Sequence, residues 1–365
     1  MDREPEATLP LPQPELPIEG EGDPASIGSY PIDSLLIRTD QRTVHDVLRR
    51  EQQGYFILDP DFQRAFVWEP ERQSRLIESL LMRIPLPVFY LAENPDGRLV
   101  VVDGLQRLGT LKRFIANEQP LLVDNPELRG KTFDTLSPKF QNRIEDAQLT
   151  LYIIDAKVPD RVRLDIFERV NSGRPLTRQQ MRNALYQGKA TEFLKAAALT
   201  PEFKDATIDA FPPEEMKDRE AINRFCSFYL LGPETFKGDI DAFLADGLKE
   251  LNSKSSEDIE ELMIKFRMSM KANAKIFGEN AFRKHSRDQS RRHPINLSLF
   301  DIFSVLFAKF DANTVYQSRD AIREGFFDLQ EDDKFVSAIT TATSDIKKVA
   351  NRFKKLEAMI EGAIA

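Results

Sequence analysis

Residues 99–107 read LVVVDGLQR and carry the strongest structural signal in the sequence. The apolar, mostly β-branched run predicts a buried strand, and Asp103-Gly104 predicts a tight turn directly after it. Beyond the turn, apolar residues recur at helical spacing, which predicts a helix with a buried face formed by Leu108, Leu111 and Ile115. The stretch therefore predicts a strand–turn–helix unit with Gln106 and Arg107 in the first helical turn.

The start of the predicted helix has the properties of an anion site. Its first N–H groups lack helical partners and lie at the positive end of the macrodipole, so they attract phosphate. Arg107 adds a guanidinium fork that suits phosphate oxygens, and Asp103 can hold Mg²⁺ or orient a water. On spacing alone a simpler interpretation stays open: Asp103 caps the helix, Gly104 makes the turn and Arg107 is solvated.

The sequence around this unit predicts an α+β domain. The β-rich runs at 88–92 and 99–102 flank an Asn-Pro-Asp-Gly turn, which is a hairpin signal. Further elements are predicted by the same rules: helices at 44–52 and 70–84, and strands at 55–58 and 149–154. Residues 1–28 are rich in Pro, Glu and Gly and predict a disordered tail.

Beyond about Pro159 the pattern is helical to the end of the chain. A first helix is expected from Asp160 to Val170, and Thr177 and Gln180 form a capping-box pattern for the next, expected to end at Gly188. Later helices are predicted at 218–231, 239–251, 256–277, 295–310, 315–328 and 332–361. We therefore expect three parts: the tail (1–28), an α+β domain (29–158) and an all-α lobe (159–365).

Composition narrows the class of protein. No apolar run approaches the length of a membrane span and the N terminus lacks signal-peptide features, so no membrane partner is expected. The single cysteine, Cys226, rules out an intrachain disulfide, favours a reducing, cytoplasmic setting and is predicted to be buried. The formal net charge of −8 is opposite to that of a protein that coats nucleic acid, so any DNA contact requires a local patch.

The most basic run is the predicted place for that DNA contact. It spans 283–293 and contains Arg283, Lys284, Arg287, Arg291 and Arg292. A solvated loop is the alternative interpretation.

Two more polar segments are candidates for contact with a ligand. Gln63 and Arg64 stand among large aromatic residues, and Arg169 and Asn171 follow the end of a predicted helix. Each segment taken alone is also compatible with a purely structural role, as an aromatic loop or a helix C-cap.

Five motifs, taken in order, resemble one family. They lie at 62–68 (FQRAFVW), 76–79 (LIES), 84–87 (IPLP), 103–107 (DGLQR) and 167–173 (FERVNSG). Their order and spacing resemble the GmrSD-type restriction-system domain, which is similar in fold to ParB and sulfiredoxin and has the signature Asp-Gly-Gln-Gln-Arg. The resemblance covers about residues 30–190 and implies a ParB/sulfiredoxin-like N-terminal domain followed by the all-α lobe.

The resemblance also implies a function in bacterial defence against phage or other foreign DNA. In such proteins the signature turn is associated with nucleotide binding and hydrolysis that regulate DNA cleavage, here by a nuclease partner. It implies catalytic roles for Asp103, Gln106 and Arg107, with Mg²⁺ at Asp103. It implies nucleotide or phosphate binding by Gln63, Arg64, Gly104, Arg107, Arg169 and Asn171.

Two features depart from the family pattern. Leu105 stands where the signature has its first Gln, which puts hydrolysis in doubt. The chain has three histidines, His45, His285 and His293, without the pattern of a histidine-metal nuclease. Two alternatives to the nucleotide-dependent regulator therefore remain: a DNA nuclease or nickase in its own right, and a non-enzymatic DNA-binding adaptor. The sequence leaves open whether the chain forms a homo-oligomer.

Overall fold

The structure is a computed structural model that describes residues 18–19, 36–58, 68–170, 177–287 and 292–365. The predicted tail lies outside the described residues apart from Ile18–Glu19, which form strand β1. The chain divides into two compact units. The N-terminal unit contains the described residues of 36–191 and 214–216, and the helical unit contains 18–19 and the described residues of 192–213 and 217–365.

The N-terminal unit is built on a five-stranded mixed sheet. Its strands are β2 (Ile37–Thr43), β3 (Phe56–Ile57), β4 (Phe89–Glu93), β5 (Leu99–Asp103) and β6 (Gln148–Ile154), in the order β2-β6-β4-β5-β3. The predicted hairpin is confirmed, because β4 and β5 pair in antiparallel fashion across a turn in which Gly97 has φ +81°. Strand β6 joins β4 in parallel and β2 in antiparallel register.

Helices cover both faces of this sheet. They are α1 (Val44–Gln52), α2 (Pro70–Leu81), α3 (Leu105–Ile115), α4 (Pro138–Glu145), α5 (Asp160–Val170) and α6 (Arg178–Leu185). Alternate residues of β4 and β5 enter two separate apolar clusters, as the two-residue period of a strand requires. One cluster joins Leu91 and Val101 to α1–α4, and the other joins Ala92 and Val102 to α5 and α6. The central strands β4 and β5 are therefore buried on both sides.

The helical unit contains helices and one two-stranded parallel pairing, β1 with β7 (Ile295–Asn296). Helix α7 (Lys189–Ala198) crosses from the first unit into the second. The following helices are α8 (Pro201–Thr207), α9 (Lys217–Leu231), α10 (Ile240–Ser253), α11 (Ser256–Phe277), α12 (Leu297–Lys309), α13 (Ala312–Gln317), α14 (Arg319–Leu329), α15 (Asp333–Thr340) and α16 (Ile346–Ile364). The α+β fold followed by helices is thus confirmed. Among the described residues, no helix combines the length and hydrophobicity that crossing a membrane requires.

Several predicted boundaries are wrong. The helix expected over 332–361 is two helices, because Asp345 caps a new one, α16, after Ala342 adopts φ +44°. The helix expected over 315–328 is also divided, at Ser318, where α13 ends and α14 begins. The polar strand β2 and helices α4, α7 and α8 were not predicted. In contrast, the Thr177–Gln180 capping box is confirmed, although α6 ends at Leu185 and not at Gly188.

Candidate functional site

The β5–α3 junction has the geometry that the sequence predicts. Gly104 lies between the strand and the helix with φ +106°, a conformation that favours glycine. A Cβ atom at this position would lie 2.3 Å from Cδ1 of the buried Phe89 ring. The N-cap residue of α3 is Gly104 itself, which has no side chain to cap the helix. The N-cap residue therefore places no side-chain acceptor of its own at the backbone N–H groups of the first helical turn.

Arg107 is buried at this junction and has specific partners. Its side chain is 9% exposed. Nη1 donates to the Pro87 carbonyl, and Nη2 donates to the Val88 carbonyl at 3.0 Å and to Asp103 Oδ2 at 2.9 Å. The guanidinium carbon also lies 4.3 Å from the centre of the Phe89 ring. Burial lowers the pKa of Arg107, and the Asp103 carboxylate opposes that effect.

Gln106 connects α3 to the start of α2. Its Oε1 accepts a hydrogen bond from the Trp68 backbone N–H at 3.4 Å. The Trp68 carbonyl in turn accepts from Nε2 of the buried Gln73 at 2.6 Å. The sequence prediction did not include Gln73, although a glutamine among the apolar residues of a helix face was a usable signal.

Asp103 is one-third exposed at the end of β5, with Oδ2 engaged by Arg107. Within the described residues no group of three or more His, Cys, Asp or Glu side chains is arranged to hold a metal ion. A single carboxylate nevertheless suits Mg²⁺, which proteins commonly bind through one or two carboxylates together with substrate phosphates and water. Asp103 thus fits the minimal protein contribution to a magnesium–nucleotide site.

Leu105, which departs from the family signature, has a structural role. Its side chain is partly buried and packs against the apolar cluster that contains Leu108 and Leu111. At this position the chain uses the first helical residue to anchor α3 to the core.

The remaining predicted ligand residues are only partly described. Asp103, Gly104, Gln106 and Arg107 are brought together. Trp68, from the predicted aromatic segment, is a neighbour, and so is Phe89, which the sequence prediction did not assign. Arg169 is exposed near the end of α5. Gln63, Arg64 and Asn171 lie outside the described residues.

The predicted DNA-contacting run requires a correction. Arg283 is buried and donates to the carbonyls of Ala281 and Thr207, at 2.9 and 3.2 Å, so it cannot act as a surface contact in this structure. Arg287 is exposed but forms ion pairs with three carboxylates of α14 and the turn after it, Glu324, Asp328 and Glu331. Lys284 is half-buried, Arg292 is exposed, and Arg291 lies outside the described residues.

A family model matches the part of the chain that contains the β5–α3 junction. The model, described as GmrSD restriction endonuclease, N-terminal domain, matches residues 44–187. These residues form a GmrSD-type N-terminal domain. The GmrSD-type domain indicates a component of a restriction system. Comparisons with curated proteins and with solved structures give no significant match.

Proposed function

We propose that the GmrSD-type domain binds a nucleoside triphosphate at the N terminus of α3. The observation that supports this most strongly is the strand–turn–helix geometry, in which Gly104, with φ +106° and no side chain, stands at the N-cap of α3. Phosphate groups bind well at such helix ends, because the N–H groups and the macrodipole both favour negative charge. The domain is proposed to share its fold with ParB and sulfiredoxin.

The proposed hydrolysis assigns roles to Asp103 and Gln106. Asp103 would hold Mg²⁺ through its carboxylate, and the ion would offset the charge of the phosphates. Gln106 would orient polar groups at the phosphates, with its Oε1 positioned by the Trp68 N–H. Gln63, Arg64, Arg169 and Asn171 are proposed to line the phosphate site, as the family resemblance implies.

The proposed output is control of DNA cleavage in the cytoplasm. Nucleotide binding or hydrolysis at the turn would signal to a nuclease partner that acts on foreign DNA. The restriction-system family supports this role.

Nucleotide titration tests the proposal directly. Trp68 is the single tryptophan of the chain and its backbone contacts Gln106, so its fluorescence is a suitable signal. We expect at least one Mg²⁺–nucleoside triphosphate to bind, and Gln106→Ala to weaken that binding. Phosphate release, where it occurs, should be lost in Asp103→Asn. If calorimetry and fluorescence detect no binding of ATP, GTP, CTP or UTP to the wild-type protein, the proposal is wrong.

A second function, DNA cleavage by this chain itself, is favoured by the description of the matching family as a restriction endonuclease. Metal-dependent cutting of DNA that disappears in Asp103→Ala would support it over the regulatory role. Salt-sensitive DNA binding that is indifferent to nucleotide would instead support the adaptor.

A further inference from the structure

We infer that Arg107 is a positioning residue, which clamps residues 84–88 against the β5–α3 junction, and that it is not a direct phosphate ligand. This inference rests on the proposed nucleotide site and changes the role of its most prominent cation. The segment 84–88 (IPLPV) leads directly into β4.

The donors of Arg107 are directed toward that segment. Nη2 has two hydrogens, and the Val88 carbonyl and Asp103 Oδ2 accept one each, at 3.0 and 2.9 Å. Nη1 donates to Pro87, the residue before Val88. To take the three donor hydrogens that these contacts engage, a phosphate would have to displace both backbone carbonyls and one carboxylate oxygen. The Arg107 guanidinium is buried and these hydrogen bonds are charge-assisted, so giving them up is unfavourable.

The same contacts organise the proposed site. The Phe89 ring lies beneath the Arg107 guanidinium and also occupies the space where a Cβ at position 104 would be. Holding Phe89 in place therefore supports the Gly104 turn. Fixing Asp103 Oδ2 sets the orientation of that carboxylate, whose side chain remains one-third exposed. The motifs at 84–87 and 103–107 are thus one physical unit, although about twenty residues separate them.

Binding measurements with nucleotides of different phosphate number separate a clamp from a ligand. The probes are the triphosphate that binds the wild-type protein and its di- and monophosphate. For Arg107→Ala, a clamp predicts the same loss of affinity for all three, about 10- to 100-fold, because a misplaced site weakens every complex. A direct ligand predicts a loss that grows with phosphate number, and that result would overturn the inference.

Hydrogen exchange without nucleotide gives an independent readout. Pro85 and Pro87 have no N–H, so the amides of Leu86 and Val88 report on the segment. We expect faster exchange at these two amides in Arg107→Ala. Unchanged exchange there, or equal acceleration throughout α1, α2 and β6, would contradict the clamp.

Two further variants complete the design. Arg107→Lys keeps the charge but not the planar fork, so a clamp predicts that it behaves like Arg107→Ala, whereas a phosphate ligand predicts partial rescue of triphosphate binding. Lys112→Ala is the matched control. It removes a cation from the same helix, and Lys112 pairs with Glu51, at 2.7 Å, and not with the 84–88 segment. If the wild-type protein binds no nucleotide, the proposed function fails, and the exchange experiment still decides whether Arg107 is a clamp. Circular dichroism establishes folding, and Arg107→Lys replaces Arg107→Ala if the latter does not fold.

Discussion

Two features disfavour a side chain at position 104, and the cost of each to protein stability can be measured separately. One obstacle is the backbone conformation and the other is a steric contact. The backbone there has φ +106°, and the Phe89 ring lies 2.3 Å from the place of a Cβ atom. Gly130 has only the first obstacle, since its φ is +73° and no atom lies within 4 Å of a Cβ built there. The two glycines belong to the same unit, so they form a matched pair.

We predict that Gly104→Ala destabilises the protein more than Gly130→Ala does. The left-handed conformation should cost either alanine about 1–2 kcal/mol. Gly104→Ala should lose a further ~1–3 kcal/mol, because Phe89 is fully buried and cannot move without disturbing the core. Urea unfolding followed by Trp68 fluorescence measures both values. Equal destabilisation by the two variants would show that the Phe89 contact is not restrictive.

At the scale of single elements, α1 begins within a small ionic network. Thr43 caps the helix, and Asp46 in its first turn accepts hydrogen bonds from Arg42, Arg49 and Arg50. The hydrogen bond from Arg49 is the largest of the contributions that lower the pKa of Asp46 to about 2. The folded state therefore favours the ionised carboxylate more than the unfolded chain does.

Asp46→Asn tests this network through its pH dependence. We expect a loss of about 1 kcal/mol at pH 7, a modest value because the side chain is partly solvated. Because the folded pKa is lowered, the difference between wild type and variant should be complete above about pH 4 and shrink as the pH falls toward 2. Urea unfolding across this range measures it, with the exposed Asp124→Asn as control. A difference that is constant with pH would show that ionisation of Asp46 is not its cause.

Three helices of the helical unit are joined by a buried ionic triad. Asp301 of α12 receives two hydrogen bonds from Arg224 of α9, at 2.7 and 2.6 Å, and one from Arg352 of α16, at 3.0 Å. Asp301 is fully buried and Arg352 is 1% exposed. Removal of one member would leave charge without compensation in the core.

Asp301→Asn should therefore destabilise the protein by about 3–5 kcal/mol. Arg287→Ala is the contrasting variant, because it also removes ion pairs between an arginine and carboxylates, but at the surface. We expect it to change the stability of the protein little. Thermal unfolding followed by circular dichroism compares the two. A small effect of Asp301→Asn would mean that water or a nearby carboxylate compensates the two arginines.

At the scale of the whole molecule, the charge distribution opposes strong binding to DNA. The net charge is −8, Arg283 is buried, and Arg287 is already paired with carboxylates. Among the described cations of the basic run, the exposed Arg292 and the half-buried Lys284 remain the candidates for contact with DNA.

We predict that the chain by itself does not retain duplex DNA at about 150 mM salt, where screening is substantial. Any binding at low salt should decrease more in Arg292→Ala than in Arg287→Ala, because the Arg287 guanidinium is occupied by α14. Electrophoretic mobility shift at several salt concentrations measures this. DNA binding that is retained at about 150 mM salt and requires Arg287 would contradict the prediction and favour the adaptor function.

Local patterns predicted much of the N-terminal unit. The hairpin before Asp103, the glycine turn and helix α1 were predicted within a residue or two, because each depends on neighbours within about four positions. Strand β2 was missed, since its sequence IRTDQRT is polar, exposed at the sheet edge and without an apolar alternation. The burial of Cys226, predicted from its apolar helical surroundings, is confirmed.

The amino-acid sequence by itself determined the strand–turn–helix unit at 99–115, the Thr177–Gln180 capping box and the order of α+β and all-α segments, since periodicity and capping are short-range interactions. Only the tertiary structure decided which cations are available at the surface. Arg107 is directed to carbonyls about twenty residues away, and Arg283 to a carbonyl 76 residues away. An arginine satisfies its donors with whatever acceptors the folded chain brings within reach, and no local pattern specifies those acceptors.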